Sequence, residues 1–165
     1  ILGKYNDREG IVIDTRFNGG GRLHEDIEIL FSGKKYFTQV VRGREACDMP
    51  SRRWNKPSIM VTCEANYSNA HGTPWVYQHQ GIGKVVGMPV PGTMTSVSWE
   101  TLQDPTLYFG IPIVGYRLPD GSYLENKQLE PDVKIANSPE KTIKGEDEQL
   151  ETAVKELLKE IDSKK

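Results

Sequence analysis

Tyr67 to Gly72 reads YSNAHG, set between the apolar run SIMVTCEA and the helix-like TPWVYQHQG. A strand that turns sharply into a helix is a favoured mount for a catalytic nucleophile, because the turn lifts one side chain clear of the sheet. The first residues of the helix also bring unpaired N–H groups and the positive end of the helix dipole. On attack from position 70, the next amide, that of His71, is a natural donor to the developing oxyanion. Position 70 is Ala70, however, and carries no functional group. Read as structure alone, Ser68 or Asn69 caps the helix and His71 is a surface residue.

FNGGGR, directly after IVIDTR, is the second stretch with chemical potential. A phosphate cradle would need the GKS or GKT of a P-loop or the GxGxxG of a dinucleotide fold, and neither is present. The plain alternative is a flexible turn. Glycines also let a backbone N–H face outward with no Cβ in the way, which suits an oxyanion donor. Such a donor needs a nucleophile and a second donor nearby, and YSNAHG could supply both.

The rest of the composition narrows the classes. The 165 residues are 36% hydrophobic and 27% charged, enough for one core and one domain. A net charge of -2 gives no electrostatic footprint for nucleic acid. No apolar run reaches the roughly 18 residues that a membrane span needs. Cys47 and Cys63 lack CxxC spacing and do not cluster with His24, His71 or His79, so no metal site is expected. The two thiols could pair in an oxidising compartment, but two buried thiols are the commoner outcome. The chain opens on ILGKYNDREG without a Met, which reads as a fragment or processed product.

Elements that could position the two turns follow from periodicity. IVIDTR is a strand bounded by glycine, and Leu23, Ile27, Leu30 and Phe31 predict a helix ending at Gly33. Tyr36 to Val41 predicts a short strand, followed by a polar loop that contains Trp54. SIMVTCEA is a second apolar strand, and a helix runs from about Asn69 to Gln80. GKVVGMPVPG gives a third strand. TLYFGIPIVGYR, PDGS and YLEN read as a hairpin-like segment in which Pro112 argues for an edge or a bulge. Leu150, Ala153, Val154, Leu157, Leu158 and Ile161 form one apolar helix face. Strands alternating with helices indicate an α/β fold.

IVIDTRFNGGG, YSNAHG, GIGKVVGMPVPGTMT, YLENKQLEPDVKI and GEDEQLETAVKELL follow one another in an order that resembles the tail-specific (C-terminal processing) serine peptidases, tricorn-core branch. The resemblance runs from about Gly10 to Ile161. It implies a crotonase- and ClpP-like α/β fold of twisted sheets flanked by helices, of which this chain could be only the C-terminal part. It further implies an extended peptide or protein substrate, an acyl-enzyme mechanism, no cofactor and no metal. The glycine turn resembles the segment that gives one oxyanion amide, Gly20 with Gly19 as the alternative. The family's nucleophilic serine falls at Ala70 and the second oxyanion amide at His71, while Ser68 matches a serine often found two residues earlier.

The general base is missing as well. Ser–Lys members of the family carry a lysine just after the glycine that here is Gly92, and Thr93 stands in its place. The tricorn branch uses a histidine from a segment well before the glycine turn, oriented partly by a glutamate that Glu125 of YLEN matches; Glu130 of LEPD is the next candidate. The base would then come from an upstream segment or another subunit, and a homo-oligomer stays open. The resemblance favours periplasm or cell envelope over cytoplasm.

Three explanations fit the absent hydroxyl: a serine replaced by alanine to trap substrate, a naturally inactive relative, or Ser68 serving instead. A shift of two helical residues turns a side chain by roughly 200° around the axis, which argues against Ser68. The expectation is therefore a chain that is catalytically silent as written. Its alternatives are a non-catalytic peptide- or ligand-binding module on the same fold, and a crotonase-like acyl-CoA enzyme, which leaves LENKQLEPD and GEDEQL unexplained.

Overall fold

The computed structural model describes residues 3–164. In chain order the elements are β1 (Ile11–Asp14), α1 (His24–Ser32), β2 (Phe37–Val41), β3 (Arg44–Met49), β4 (Ser58–Thr62), α2 (Asn69–His79), β5 (Val85–Gly87), β6 (Ser96–Thr101), β7 (Tyr108–Val114), β8 (Val133–Lys134), α3 (Pro139–Thr142) and α4 (Glu148–Ser163). Four of the strands make a parallel sheet in the order β1-β4-β5-β8. Register is set by pairs such as Ile11 with Ser58, Met60 with Val85 and Val86 with Val133.

SIMVT is buried along its whole length, as a central strand covered on both faces must be. Alternate residues serve opposite layers. Ile59, Val61 and Val86 pack with Ala153 and Leu157 of α4, and Val12, Val133, Ile135 and Ile161 close the edges. On the other face Met60, Val85 and Tyr77 meet Ile13, Ile27 and Ile82, which seats α1 and α2. Leu157→Ala would cost on the order of 2–5 kcal/mol at such a site. The apolar face of α4 is wider than the sheet covers: Leu150, Val154 and Leu158 remain exposed.

Two antiparallel hairpins lie apart from this sheet, and both correct the sequence reading. The polar loop before Trp54 contains β3, which pairs with β2 from Phe37↔Met49 to Val41↔Arg44. Charged REACDM hides its strand character because both of its faces lie near solvent. TLYFGIPIVGYR meets YLEN across PDGS only at its last residues, through the Arg117–Tyr123 bridge and the Leu124 N–H to the Tyr116 carbonyl. Its partner is the preceding SVSWET, as β6–β7, where Pro112 faces Val97 beside a register shift.

Candidate active site

The turns that leave β1 and β4 are laced together at one end of the sheet. Thr15 donates its N–H and its hydroxyl to the Val61 carbonyl, at 2.9 and 2.8 Å. Asn66 Nδ2 donates to Thr15 Oγ1, the Tyr67 N–H to the Asn18 carbonyl, and the Phe17 N–H to Cys63 Sγ at 3.3 Å. Cys63 is buried, Cys47 is exposed, and both are free thiols. The two glycine- and serine-bearing turns therefore act as one unit.

Backbone strain concentrates in this unit. Phe17 has φ 60°, Gly20 φ 111° and Gly21 φ 123°. Ser68 stands at φ 56°, ψ −126°, immediately before the first residue of α2, and its side chain makes no capping bond. Few non-glycine residues adopt that conformation, and it is the kind of strain that catalytic turns hold. Its effect is to turn Ser68 out of the helical spiral. The Gly20 Cα packs directly on it: a methyl added there would sit 2.7 Å from Ser68 Cβ and 3.1 Å from the Asn69 nitrogen.

Ala70 occupies a different environment. Its side chain is buried, its N–H donates to the Tyr67 carbonyl, and the His71 N–H donates to the Ser68 carbonyl at 2.8 Å. The amide expected as second donor is thus engaged within the first helical turn, and the Ala70 methyl packs inward. The argument from helical rotation placed both residues on the helix, whereas Ser68 precedes it. The Asn69 N–H has no partner among the described residues. Gly20, the expected glycine donor, gives its N–H to Asn18 Oδ1 at 2.8 Å, while the Gly19 N–H has no partner among the described residues.

The remaining candidates reach the same end of the fold by a chain of contacts. The Ser68 N–H donates to Thr93 Oγ1 at 3.1 Å, so the residue after Gly92 does lie against the nucleophile turn. Gly92 in turn packs on Asn126 and Lys127, where a methyl would meet the Lys127 nitrogen at 2.4 Å. Glu125 Oε2 accepts the Thr95 N–H at 2.7 Å, and its charge is felt by His71. Glu130 lies elsewhere: its carbonyl accepts from Gln78 and its carboxylate lies 3.8 Å from Lys134. His71 is fully buried rather than a surface residue, and neither ring nitrogen lies within hydrogen-bond distance of a partner among the described residues, although the Lys127 backbone is near. Burial pushes its pKa down, opposed by the Lys127 backbone and by Glu125.

Asn69 and His24 are the residues that sequence reasoning missed. Asn69 Oδ1 accepts from the N–H groups of Leu23 and His24, so it caps α1 from across the sheet end, and its Nδ2 reaches His24 Nδ1 at 2.6 Å. Spacing gives no hint of a cap that crosses between helices. The available clue was the capping preference itself, which sets Ser68 outside the helix and not upon it.

A profile of peptidase family S41 matches residues 2–135. The chain belongs to peptidase family S41. Among its curated relatives are the tricorn protease of Thermoplasma acidophilum, 25% identical over 154 residues, and the tricorn protease homolog 1 of Streptomyces coelicolor, 28% identical over 152 residues. These alignments cover 93% and 89% of this chain but only 14% of each relative. A crystal structure of the tricorn protease superposes with a TM-score of 0.78 at 25% identity, over 93% of this chain and 15% of that one. The photosystem II D1 C-terminal processing protease shares the fold at a TM-score of 0.55 and 17% identity, covering 79% of this chain and 36% of that one. The parallel sheet flanked by helices is thus the serine peptidase-like fold of this S41 chain, as the ordered motifs implied.

Proposed function

We propose that this S41 chain carries the nucleophile and oxyanion half of a serine peptidase site, with Ser68 and not Ala70 as the nucleophile. One observation carries the reading: Ser68 alone is turned out at positive φ between the β4 exit and α2, with Gly20 packed on it and the open Asn69 N–H beside it. Attack by Oγ on a peptide carbonyl would put negative charge on oxygen next to the Asn69 amide, where the helix terminus favours it. The Gly20 amide is the second donor, exchanging Asn18 Oδ1 for the oxyanion; such bonds commonly tighten only in the reacting complex.

A hydroxyl is a weak nucleophile until a base accepts its proton. His71 is buried beneath the turn and His24 has Nδ1 engaged, so the base comes from a histidine outside these 165 residues, held through Glu125. The tricorn relatives are far longer than this chain, which supports that reading. Alone, the chain binds an extended peptide and turns it over slowly.

The test is labelling by a fluorophosphonate, mapped by mass spectrometry, on the 165-residue chain and on the full coding sequence that contains it. The adduct should fall on Ser68, weakly in the chain alone and strongly in the longer product. An adduct on any other residue, or none in the longer product, removes the assignment.

A further inference from the structure

His24 opens α1, four positions after Gly20, and the structure ties it to the residue that follows Ser68. The chemistry of that tie is decided by Asn69. Its Oδ1 already accepts two backbone N–H groups, from Leu23 at 2.9 Å and His24 at 3.2 Å. Oxygen must therefore face the start of α1, and the NH₂ group must face the imidazole. An amide nitrogen can only donate, so His24 Nδ1, 2.6 Å away, is the acceptor. In a neutral ring the proton then sits on Nε2.

This is the reverse of the arrangement that makes a histidine a general base. There a carboxylate accepts a hydrogen bond from Nδ1–H and leaves Nε2 bare; with an amide donor in that place, the wrong tautomer is held. Nε2 of His24 has no hydrogen-bond partner among the described residues, yet it is not one of the buried unpartnered atoms. It is a donor open to solvent. The ring meets Tyr116 edge-on with centroids 6.4 Å apart, which fixes its plane.

We infer that His24 is a fixed hydrogen-bond donor beside the Ser68 turn, held as the Nε2–H tautomer by Asn69, and that it takes a carbonyl oxygen of an extended peptide lying across Ser68. The inference rests on the Ser68 reading for the path of the peptide. The tautomer itself does not. His24 is a positioning residue for substrate. No proton transfer passes through it.

The experiment uses the 165-residue chain with ¹⁵N-labelled histidine and the probe peptide acetyl-tetra-alanine amide. Long-range ¹H–¹⁵N correlation should show a bare Nδ1 and a protonated Nε2 on His24, with the Nε2 resonance moving as the peptide is added. His24→Ala should weaken the peptide roughly three- to tenfold, the scale of one hydrogen bond, whereas His24→Gln, which keeps a donor, should stay within about twofold. Asn69→Asp is the sharper variant. Its carboxylate can still accept the two backbone N–H groups but now also accepts from Nδ1–H, which should flip the tautomer and weaken the peptide as much as His24→Ala. A bare Nε2 in the unsubstituted chain, or peptide affinity unchanged in both His24→Ala and Asn69→Asp, would overturn the proposal. Fluorophosphonate labelling of the longer product reports separately on Ser68: absence of that label, with the ring signature and peptide shift intact in the 165-residue chain, removes the nucleophile assignment and leaves the His24 site supported.

Discussion

The N-termini of α2 and α4 point in opposite chemical directions. At α4, Asp147 accepts the Leu150 N–H at 3.0 Å, Asn137 Oδ1 accepts the Gln149 N–H at 2.9 Å, and Arg16 clamps the Asp147 carboxylate. At α2 the residue in the capping position makes no side-chain cap, the first amide is open, and the one well-placed amide side chain is spent on a different helix. A helix end needs its orphan donors satisfied, so leaving them open has an energetic cost. The saturated end is structural. The open end keeps the Asn69 amide unpartnered, and the positive φ values of the two laced turns gather around it.

Removing the nucleophile should produce the largest effect. Ser68→Ala in the longer product should lower peptide hydrolysis by roughly 10³-fold or more, to the level left by binding and oxyanion contacts. Ala70→Ser should change turnover little, because its side chain lies inside the first helical turn; a rise with Ala70→Ser in a Ser68→Ala background would reverse the assignment. Gly20→Ala comes next. The new methyl meets Ser68 Cβ at 2.7 Å on a backbone at φ 111°, so it must displace the turn. Labelling of Ser68 should fall about 10–100-fold, the scale of a misplaced near-attack group, with the melting temperature only slightly lowered. Equal losses in both would make Gly20 a folding residue and blur the contrast between the two helix ends.

The α4 end should answer in stability and not in activity. Arg16 donates to Asp14 and Asp147, each at 2.7 Å, and to Gln149 at 3.2 Å. Its guanidinium holds the Asp147 carboxyl down to about 2 and Asp14 below its ordinary range. Asp147 is a third exposed, so solvent screening discounts the pair. Arg16→Met should cost about 1–3 kcal/mol in urea unfolding. Asp147→Asn should cost less, since it keeps a cap for Leu150. Both carboxyls are depressed in the fold, so their stabilisation is present above the usual carboxylate range and is lost as pH falls below it.

How much of this was legible follows the physics of each signal. β4 and α4 were read well because a doubly covered strand and an amphipathic helix each leave a one-dimensional pattern. β3 and β6 were not, since REACDM and SVSWET sit in two-stranded ribbons that bury little and so constrain composition little. The resemblance puts the nucleophile at position 70, and the rotation that argues against Ser68 assumes a helix through both residues, whereas φ 56° at Ser68 breaks the spiral one residue before Asn69. Dihedral strain is set by the fit of two turns against each other. No periodicity records it, although serine ahead of the first helical residue hinted at it.

The smallest expected effect tests the packing beneath the site. His71, in the first turn of α2, is fully buried, with both ring nitrogens unpartnered among the described residues. Burial disfavours its charged form, and the nearby Lys127 carbonyl and Glu125 only partly offset this. Its pKa is therefore lower folded than unfolded, and the unfolded chain binds the extra proton first. The sign follows: stability is intact above the ordinary histidine range near pH 6.5 and is lost as pH falls through that range toward the folded value. Melting temperature should be flat from pH 8 to about 7 and decline below about 6.5, before the Asp14 and Asp147 carboxyls contribute at lower pH. His71→Phe removes the titration and should flatten the curve between pH 7 and 5, at the cost of local repacking. A slope that survives His71→Phe would show that the titrating group is not this buried imidazole, and that the sealed packing under the turn does not set the pH dependence.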